Sequence, residues 1–299
     1  MEEKGYLDPK KLLKPGICGP GIEGEECFDA DTLQKVKEYA TANSDGDLLK
    51  KVSKVEDSPT ETTQRELRDD EKLIDALGDD GYIDMLIKGF KVPAPQGNKL
   101  FSNFNENLIL KQLHAVVPSF QDFECVLMDF HKSDCELSRI ANPESDFIKK
   151  VCDGEILTFG TIPNTLVSSG DTKKVGHWVA LFGDFRGEKW TIEYYNSTGS
   201  NAPAGMWEWM QRLAKSISEN CGKECIALNA SNVSSQRGPT ECGIYSLHYL
   251  ICRLIGIDYK EFRKNRIPDN EVNKLRKLFD DERKIPNAVR NLLRSRMLL

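Results

Sequence analysis

SSQRGPTECGIYSLHYL, residues 234–250, joins a loop of Ser, Gly and Pro to an apolar run, and Cys242 stands at the join. The run continues to residue 257, which predicts a mostly apolar, buried helix over 242–257. A cysteine in the first turn of a helix meets unpaired N–H groups and the positive end of the dipole. Both favour the thiolate, the species that attacks a carbonyl. Gly243 removes the side chain beside that sulfur and lets an extended chain come close. Glu241 acts the other way, since a nearby negative charge raises a thiol pKa. A buried cysteine that merely opens a core helix has the same local sequence, so this stretch alone leaves both readings open.

Upstream, HWVALFGDF (177–185) and KWTIEYYN (189–196) read as two β-rich runs joined through Gly183–Gly187 as a hairpin. His177 heads the first strand and Asn196 ends the second. A base for Cys242 must take the thiol proton and return it to a leaving amine. An Asn carbonyl accepting the Nδ1–H of that imidazole would fix its tautomer, although a neutral Asn stabilises imidazolium less than Asp does. Asn opening a turn is also a common structural choice. The other three histidines read as packed or surface residues: His114 on a helix, His131 after MDF, and His248 six positions past Cys242, turned away around the helix. Gln236 lies six positions before Cys242. Its amide would stand beside the Cys242 backbone N–H and give a second donor for an oxyanion, whereas a loop Gln in isolation is usually just solvated.

Composition bounds the rest. The 299 residues are 39% hydrophobic and 29% charged, with a formal net charge of −6, which argues against nucleic acid as the main partner. No apolar run reaches the roughly 18 residues a membrane span requires. MEEKGYLDPKKLL lacks an apolar signal segment, so a cytosolic or particle-enclosed location is expected. Nine cysteines are spread along the chain, and most are expected reduced, without a disulfide framework. Cys125, Cys152 and Cys252 read as small core residues. Cys221 and Cys225 lack a second pair at ligand spacing, so no metal and no cofactor are expected.

Three segments follow from texture: an N-terminal helical arm over 1–98, a core over 99–280 and a basic amphipathic tail over 281–299. A helix starts near Asp29, residues 43–72 are polar helix and loop, DDGYIDMLIKGF forms a short helix, and VPAPQGN (92–98) is a linker. Further elements are a helix from Asn105, a helix over 205–220 and a strand over 224–230. Strands and helices alternate without a regular βαβ repeat, so the fold class is α+β.

The order His177, Asn196, Gln236, Cys242, with HWVAL on one strand, YYNS at the end of the next and Gln-x5-Cys-Gly before a helix, resembles the ubiquitin-like-protein (SUMO) protease superfamily of cysteine peptidases. Within it, the likeness is to the polyprotein-processing proteases of African swine fever virus and other large nucleocytoplasmic DNA viruses. GHWVALFGDFRGEKWTIEYYNSTGSNAP, QRGPTECGIYSL, RI-x-D-x-x-x-x-K-x-R near 266–276 and SNFNENLI near the start of the core carry it. The likeness runs over roughly residues 100–280, is weaker before them, and is absent from the tail. It implies a papain-like core with a central mixed sheet and a helical N-terminal extension. It also implies a Cys242–His177–Asn196 triad with Gln236 in the oxyanion hole, and Trp178 as the lid of a narrow tunnel for Gly-Gly. The expected activity is cleavage of viral structural polyproteins at Gly-Gly-Xaa sites during virion maturation, at host cytoplasmic assembly sites and inside the virion. The alternative is an isopeptidase acting on ubiquitin or SUMO conjugates. Two departures matter. Cellular SUMO proteases carry Asp where this chain has Asn196, and a second tunnel tryptophan where it reads Asn103-Phe104-Asn105-Glu106. A tunnel more open at the Asn103 side would favour extended polyprotein junctions.

Overall fold

The structure is a computed structural model that describes residues 5–20, 22, 24–168 and 176–296. The chain forms two compact units: Met1–Leu7, Gly97–Ser102 and Val117–Arg276 in one, and Asp8–Gln96, Asn103–Val116 and Lys277–Leu299 in the other.

The second unit is mainly helical. Asp29 caps the helix Ala30–Ala42 by accepting from Thr32 N–H. The polar stretch after it folds as two capped helices, Gly46–Asp57 behind Asp45 and Glu61–Arg68 behind Thr60. Leu48, Val52, Val55 and Leu67 bury their apolar faces. The short helix expected around Tyr82 is the second half of Lys72–Gly89, which bends at Gly78, where φ is +69° and a side chain would be strained. Asn103–Val116 begins two residues before the expected Asn105. Strands β1 (Pro93–Ala94) and β7 (Asp280–Asp281) pair in parallel within this unit, and Arg65 and Arg68 both reach Asp280. A C-terminal helix spans Asn287–Arg296; Met297 and Leu298 of the expected tail lie outside the described residues.

The first unit is built on a mixed five-stranded sheet in the order β2 (Phe120–Asp122), β3 (Thr158–Thr161), β4 (Ala180–Asp184), β5 (Trp190–Tyr195), β6 (Cys225–Asn229). The outer pairs β2–β3 and β5–β6 are parallel; β3–β4 and β4–β5 are antiparallel. This is the α+β architecture expected. β5 is buried along its whole length because both faces are covered, Thr191 and Glu193 included. Successive side chains of a strand point to opposite faces. On one face Leu181, Trp190, Ile192 and Tyr194 pack with Trp209, Met210, Leu213 and Ile217 of the helix Ala204–Cys221. On the other, Phe182, Glu193 and Tyr195 meet the helix Cys242–Leu254: Tyr195 stacks on Tyr249 at 4.5 Å between ring centroids, and the Arg253 guanidinium lies over the Phe182 ring.

Element boundaries differ from expectation around the hairpin. Gly183 is inside β4 rather than in the turn: a Cβ there would stand 2.2 Å from the Phe159 ring. The turn uses Gly187, at φ +73°. β4 starts at Ala180, so His177 precedes the strand. The helix that Cys242 opens ends at Leu254, three residues short of expectation.

Cysteine pairing departs from expectation. Cys18–Cys27 and Cys152–Cys221 are disulfides, and the other five cysteines are thiols. Cys152, expected in the core, is exposed at the end of Asp146–Cys152, where it meets the end of Ala204–Cys221 with Cα atoms 4.9 Å apart. A separation of 69 residues hides that meeting from the sequence.

Beneath the Cys242 helix, Glu193 has no exposed surface and accepts from the Arg253 guanidinium, at 2.8 and 2.9 Å, and from the Tyr249 hydroxyl. Removing one member of a buried charge pair costs about 3–5 kcal/mol, whereas replacing both is far milder. Arg253→Met should therefore lower the urea midpoint strongly, and Arg253→Met/Glu193→Gln should recover much of the loss. A single variant as stable as wild type would show the pair to be dispensable.

Candidate active site

Cys242 is the first residue of the helix Cys242–Leu254 and is 2% exposed. Two other cysteines, Cys225 and Cys252, lie in apolar surroundings where burial pushes their thiols up to about 12, which makes them inert. Glu241, just before Cys242, turns its carboxylate back into its own loop. It accepts from the N–H and hydroxyl of Thr240 and from the Asn273 amide.

His177 is placed by a neighbouring segment rather than by a strand of its own. Its N–H donates to the Thr165 hydroxyl at 2.9 Å, and Thr165 N–H donates to its carbonyl at 2.8 Å. Gly176 is required here, because a Cβ would stand 1.7 Å from Asn164 Oδ1. Ala180 pairs with Tyr195 across β4 and β5, and this register brings the residues flanking those ends together. The His177 Nε2 and Asn196 Oδ1 atoms are 2.9 Å apart. Asn196 Oδ1 also receives the backbone N–H of Thr198 at 3.0 Å and its hydroxyl at 2.8 Å. A backbone N–H can only donate, so the atom it meets is the carboxamide oxygen, and His177 must donate to it as well. Nε2 therefore carries a proton, and Nδ1 is the nitrogen turned away from Asn196. This reverses the expected assignment, in which Asn196 held Nδ1. Ser231 pins the Asn196 backbone, accepting from its N–H at 3.0 Å and donating to its carbonyl at 2.7 Å.

The loop before Cys242 is tied to the same place. Ser235 and Gln236 N–H groups both donate to the Ser197 carbonyl, and the Ser197 hydroxyl donates to Gln236 Oε1 at 2.6 Å. Gln236 Nε2 donates one hydrogen to the Gly238 carbonyl at 2.7 Å. His177, Asn196, Ser197 and Gln236 thus form one continuous chain of bonded residues.

Trp178, directly after His177, is 8% exposed, and its indole N–H donates to the Phe101 carbonyl at 3.0 Å. The Arg276 guanidinium covers the same Phe101 ring at 4.8 Å. Gly243 is buried beside Cys242. Asn103 opens the helix Asn103–Val116, which belongs to the other compact unit. Among the described residues no cluster of His, Cys, Asp and Glu could hold a metal ion, and Cys221 is engaged with Cys152. Sequence reasoning missed Thr165, Ser197, Thr198 and Ser231, whose hydrogen bonds carry no sequence signature. It also quoted Asp269 and Arg276 only as part of a likeness, without a role.

A cysteine protease is the class this fold defines together with the family profile of the "Ulp1 protease family, C-terminal catalytic domain", which matches residues 172–286. The chain is 33% identical over 199 residues to an African swine fever virus protein named as a SUMO-1 cysteine protease (isolate Pig/Kenya/KEN-50/1950), covering 62% of this chain and 70% of that one. A crystal structure of the African swine fever virus protease matches with a TM-score of 0.63 at 26% identity, over 90% of this chain and 97% of that one. A putative thiol protease of Acanthamoeba polyphaga mimivirus is 23% identical over 197 residues, covering 66% of this chain and 62% of that one. This chain belongs to the Ulp1 protease family and acts on protein.

His248, on the same helix as Cys242, is a poor base. Burial lowers its pKa to about 4, and its Nδ1 has no hydrogen-bond partner. The folded value lies below the unfolded one, near 6.5, so folding favours the neutral ring. That stability is whole above pH 6.5 and is lost as pH falls toward 4, at most about 3 kcal/mol for a shift of this size. His248→Gln should flatten the decline in stability over that window in urea titrations at stepped pH. An unchanged decline would place the acid sensitivity elsewhere.

Proposed function

We propose that the chain is a viral maturation endopeptidase that cleaves structural polyproteins at Gly-Gly-Xaa. In this reading Cys242 is the nucleophile, His177 the base, Asn196 the residue that orients it, and Gln236 with the Cys242 N–H the oxyanion hole. The observation that carries it is the Thr198–Asn196–His177 relay, because it commits the Nε2 proton to Asn196 and leaves Nδ1 free to take the proton of a thiol. The thiolate then attacks the scissile carbonyl, and the electron pair moves to the carbonyl oxygen, where two N–H donors meet it. Collapse expels the amine, which takes the proton from His177, and leaves a thioester. Water, deprotonated by the same nitrogen, attacks the thioester and releases the acid and the thiol.

Glycine is demanded where a flat indole such as Trp178 passes over backbone without side chains. The viral relatives support a viral protease; structural polyproteins as the substrate, with host cytoplasmic assembly sites and the virion as the places of action, belong to this proposal. One observation favours a second reading: a swine fever virus relative is named a SUMO-1 cysteine protease, which points to isopeptidase action on ubiquitin or SUMO conjugates.

Cys242→Ala and His177→Ala should reduce hydrolysis of a Gly-Gly-Xaa peptide to background. Gln236→Ala should lower kcat by roughly 10²–10³, the usual size for one oxyanion donor. Asn196→Ala should lose less, since packing partly holds the ring. A Gly-Gly vinyl sulfone should label Cys242 and no other cysteine, with labelling much reduced in His177→Ala. Preference for a SUMO or ubiquitin conjugate over the peptide would reject the polyprotein assignment in favour of the isopeptidase.

A further inference from the structure

Asp269 lies 27 positions beyond Cys242 in sequence, yet its carboxylate faces the loop that carries Gln236. One oxygen, Oδ2, receives the Gly238 N–H at 2.7 Å and the Arg237 N–H at 3.1 Å. The other, Oδ1, lies 3.0 Å from the hydroxyl of Tyr245. Tyr245 is on the Cys242 helix, three residues past the sulfur, and its hydroxyl also stands 2.9 Å from the Ile267 carbonyl. Gly238, held by Asp269 through its N–H, accepts one Gln236 Nε2 hydrogen through its C=O. A Cβ at Gly238 would stand 2.4 Å from Glu241 Oε2 and 3.3 Å from Asp269 Oδ2, so a side chain there would push the Glu241 carboxylate off the loop. On the far side, Arg276 donates to the Thr240 carbonyl and to Asn273, which in turn donates to Glu241.

We propose that Asp269 is a positioning residue for the reaction: it joins the Arg237–Gly238 backbone to Tyr245 of the Cys242 helix, and so fixes the spacing between the Gln236 amide and the Cys242 N–H. This rests on the reading of Gln236 as an oxyanion donor. Charge matters to the clamp, because a carboxylate accepts two backbone N–H groups at once and shares the Tyr245 hydroxyl hydrogen with the Ile267 carbonyl, and hydrogen bonds to a charged acceptor are about twice as strong as neutral ones. An amide at 269 can keep its oxygen on the two N–H groups by turning its NH2 toward the Tyr245 hydroxyl, but it loses the charge that strengthens these contacts. The loop is then held less firmly, and the Gln236 amide with it. The sulfur itself, fixed by the helix, stays in place.

The test compares two reactions of Cys242 in the full chain. Acylation by p-nitrophenyl acetate passes through an oxyanion; alkylation by iodoacetamide does not. Asp269→Asn should slow acylation by about 10–100-fold, part of the loss expected for a whole donor. Its alkylation rate, the pH dependence of that rate and its melting temperature should stay close to wild type. Gln236→Ala/Asp269→Asn should be no slower than Gln236→Ala, because both act through one group. The inference is overturned if Asp269→Asn acylates at the wild-type rate, if acylation and alkylation fall together, or if the two losses multiply in the double variant. Gln236→Ala acylating like wild type would remove Gln236 from the oxyanion hole and overturn the inference with it, whereas wild-type acylation by Asp269→Asn alone overturns the inference and leaves Gln236 in its role. Failure to cleave a Gly-Gly peptide would fault the substrate reading alone.

Discussion

Three donors converge on one oxygen atom, Oδ1 of Asn196, and the arrangement of the site follows from which of them has no choice. The Thr198 hydroxyl can turn and the His177 ring can hold its proton on either nitrogen, but the Thr198 backbone N–H can only give. That single obligatory donor settles the amide's orientation, and the amide in turn makes His177 Nε2 a donor and turns Nδ1 to the other side of the ring. The neighbouring residue, Ser197, extends the same fixed point to Gln236 through two backbone bonds and a side-chain bond. His177 and Gln236 are in this way referenced to one short segment after β5.

Cys242 comes from a separate element, and the sheet keeps the two in register. β5 delivers Asn196 at its end, while Glu193 and Tyr195 of the same strand grip the Cys242 helix through Arg253 and Tyr249. A buried, fully bonded charge pair adds little net stability, but it tolerates few alternative positions. An apolar contact at that place would let the helix slide along the sheet at small cost. The Glu193–Arg253 pair would not.

Much of this was legible before any coordinates, because it rests on local patterns. The apolar run after Cys242, the hairpin and the helix after it all carry period-3.6 or period-2 signals that survive in any context. What escaped was long-range. Gly183 looked like a turn residue because glycine usually is; its place in β4 is dictated by the Phe159 ring packed against it from the next strand. Cys152 and Cys221 looked like unrelated thiols because only the packing of two helices brings them together. The expected Nδ1 bond failed for a subtler reason: both nitrogens of an imidazole are plausible partners on paper, and only the direction from which Asn196 approaches distinguishes them. Asp269 and Arg276 stood in a quoted motif, but nothing about their spacing betrays that they hold the two ends of the loop that precedes the nucleophile.

The use of a neutral amide at position 196 also has a physical logic in the proposed mechanism. Asn196 is 5% exposed. A carboxylate there would stabilise imidazolium more, but its buried charge would have to be met by the same three donors, and it would give up the amide hydrogen that reaches the Tyr194 hydroxyl at 3.3 Å. With Asn, the resting site carries no buried charge on this side, and the ring is aimed by geometry rather than by attraction. The burden of stabilising charge during the reaction then shifts toward the helix N-terminus and the oxyanion donors. In that mechanism a site that relies less on its third residue relies more on the spacing of Gln236 and the Cys242 N–H, which is the spacing proposed for the Asp269–Tyr245 contact to set.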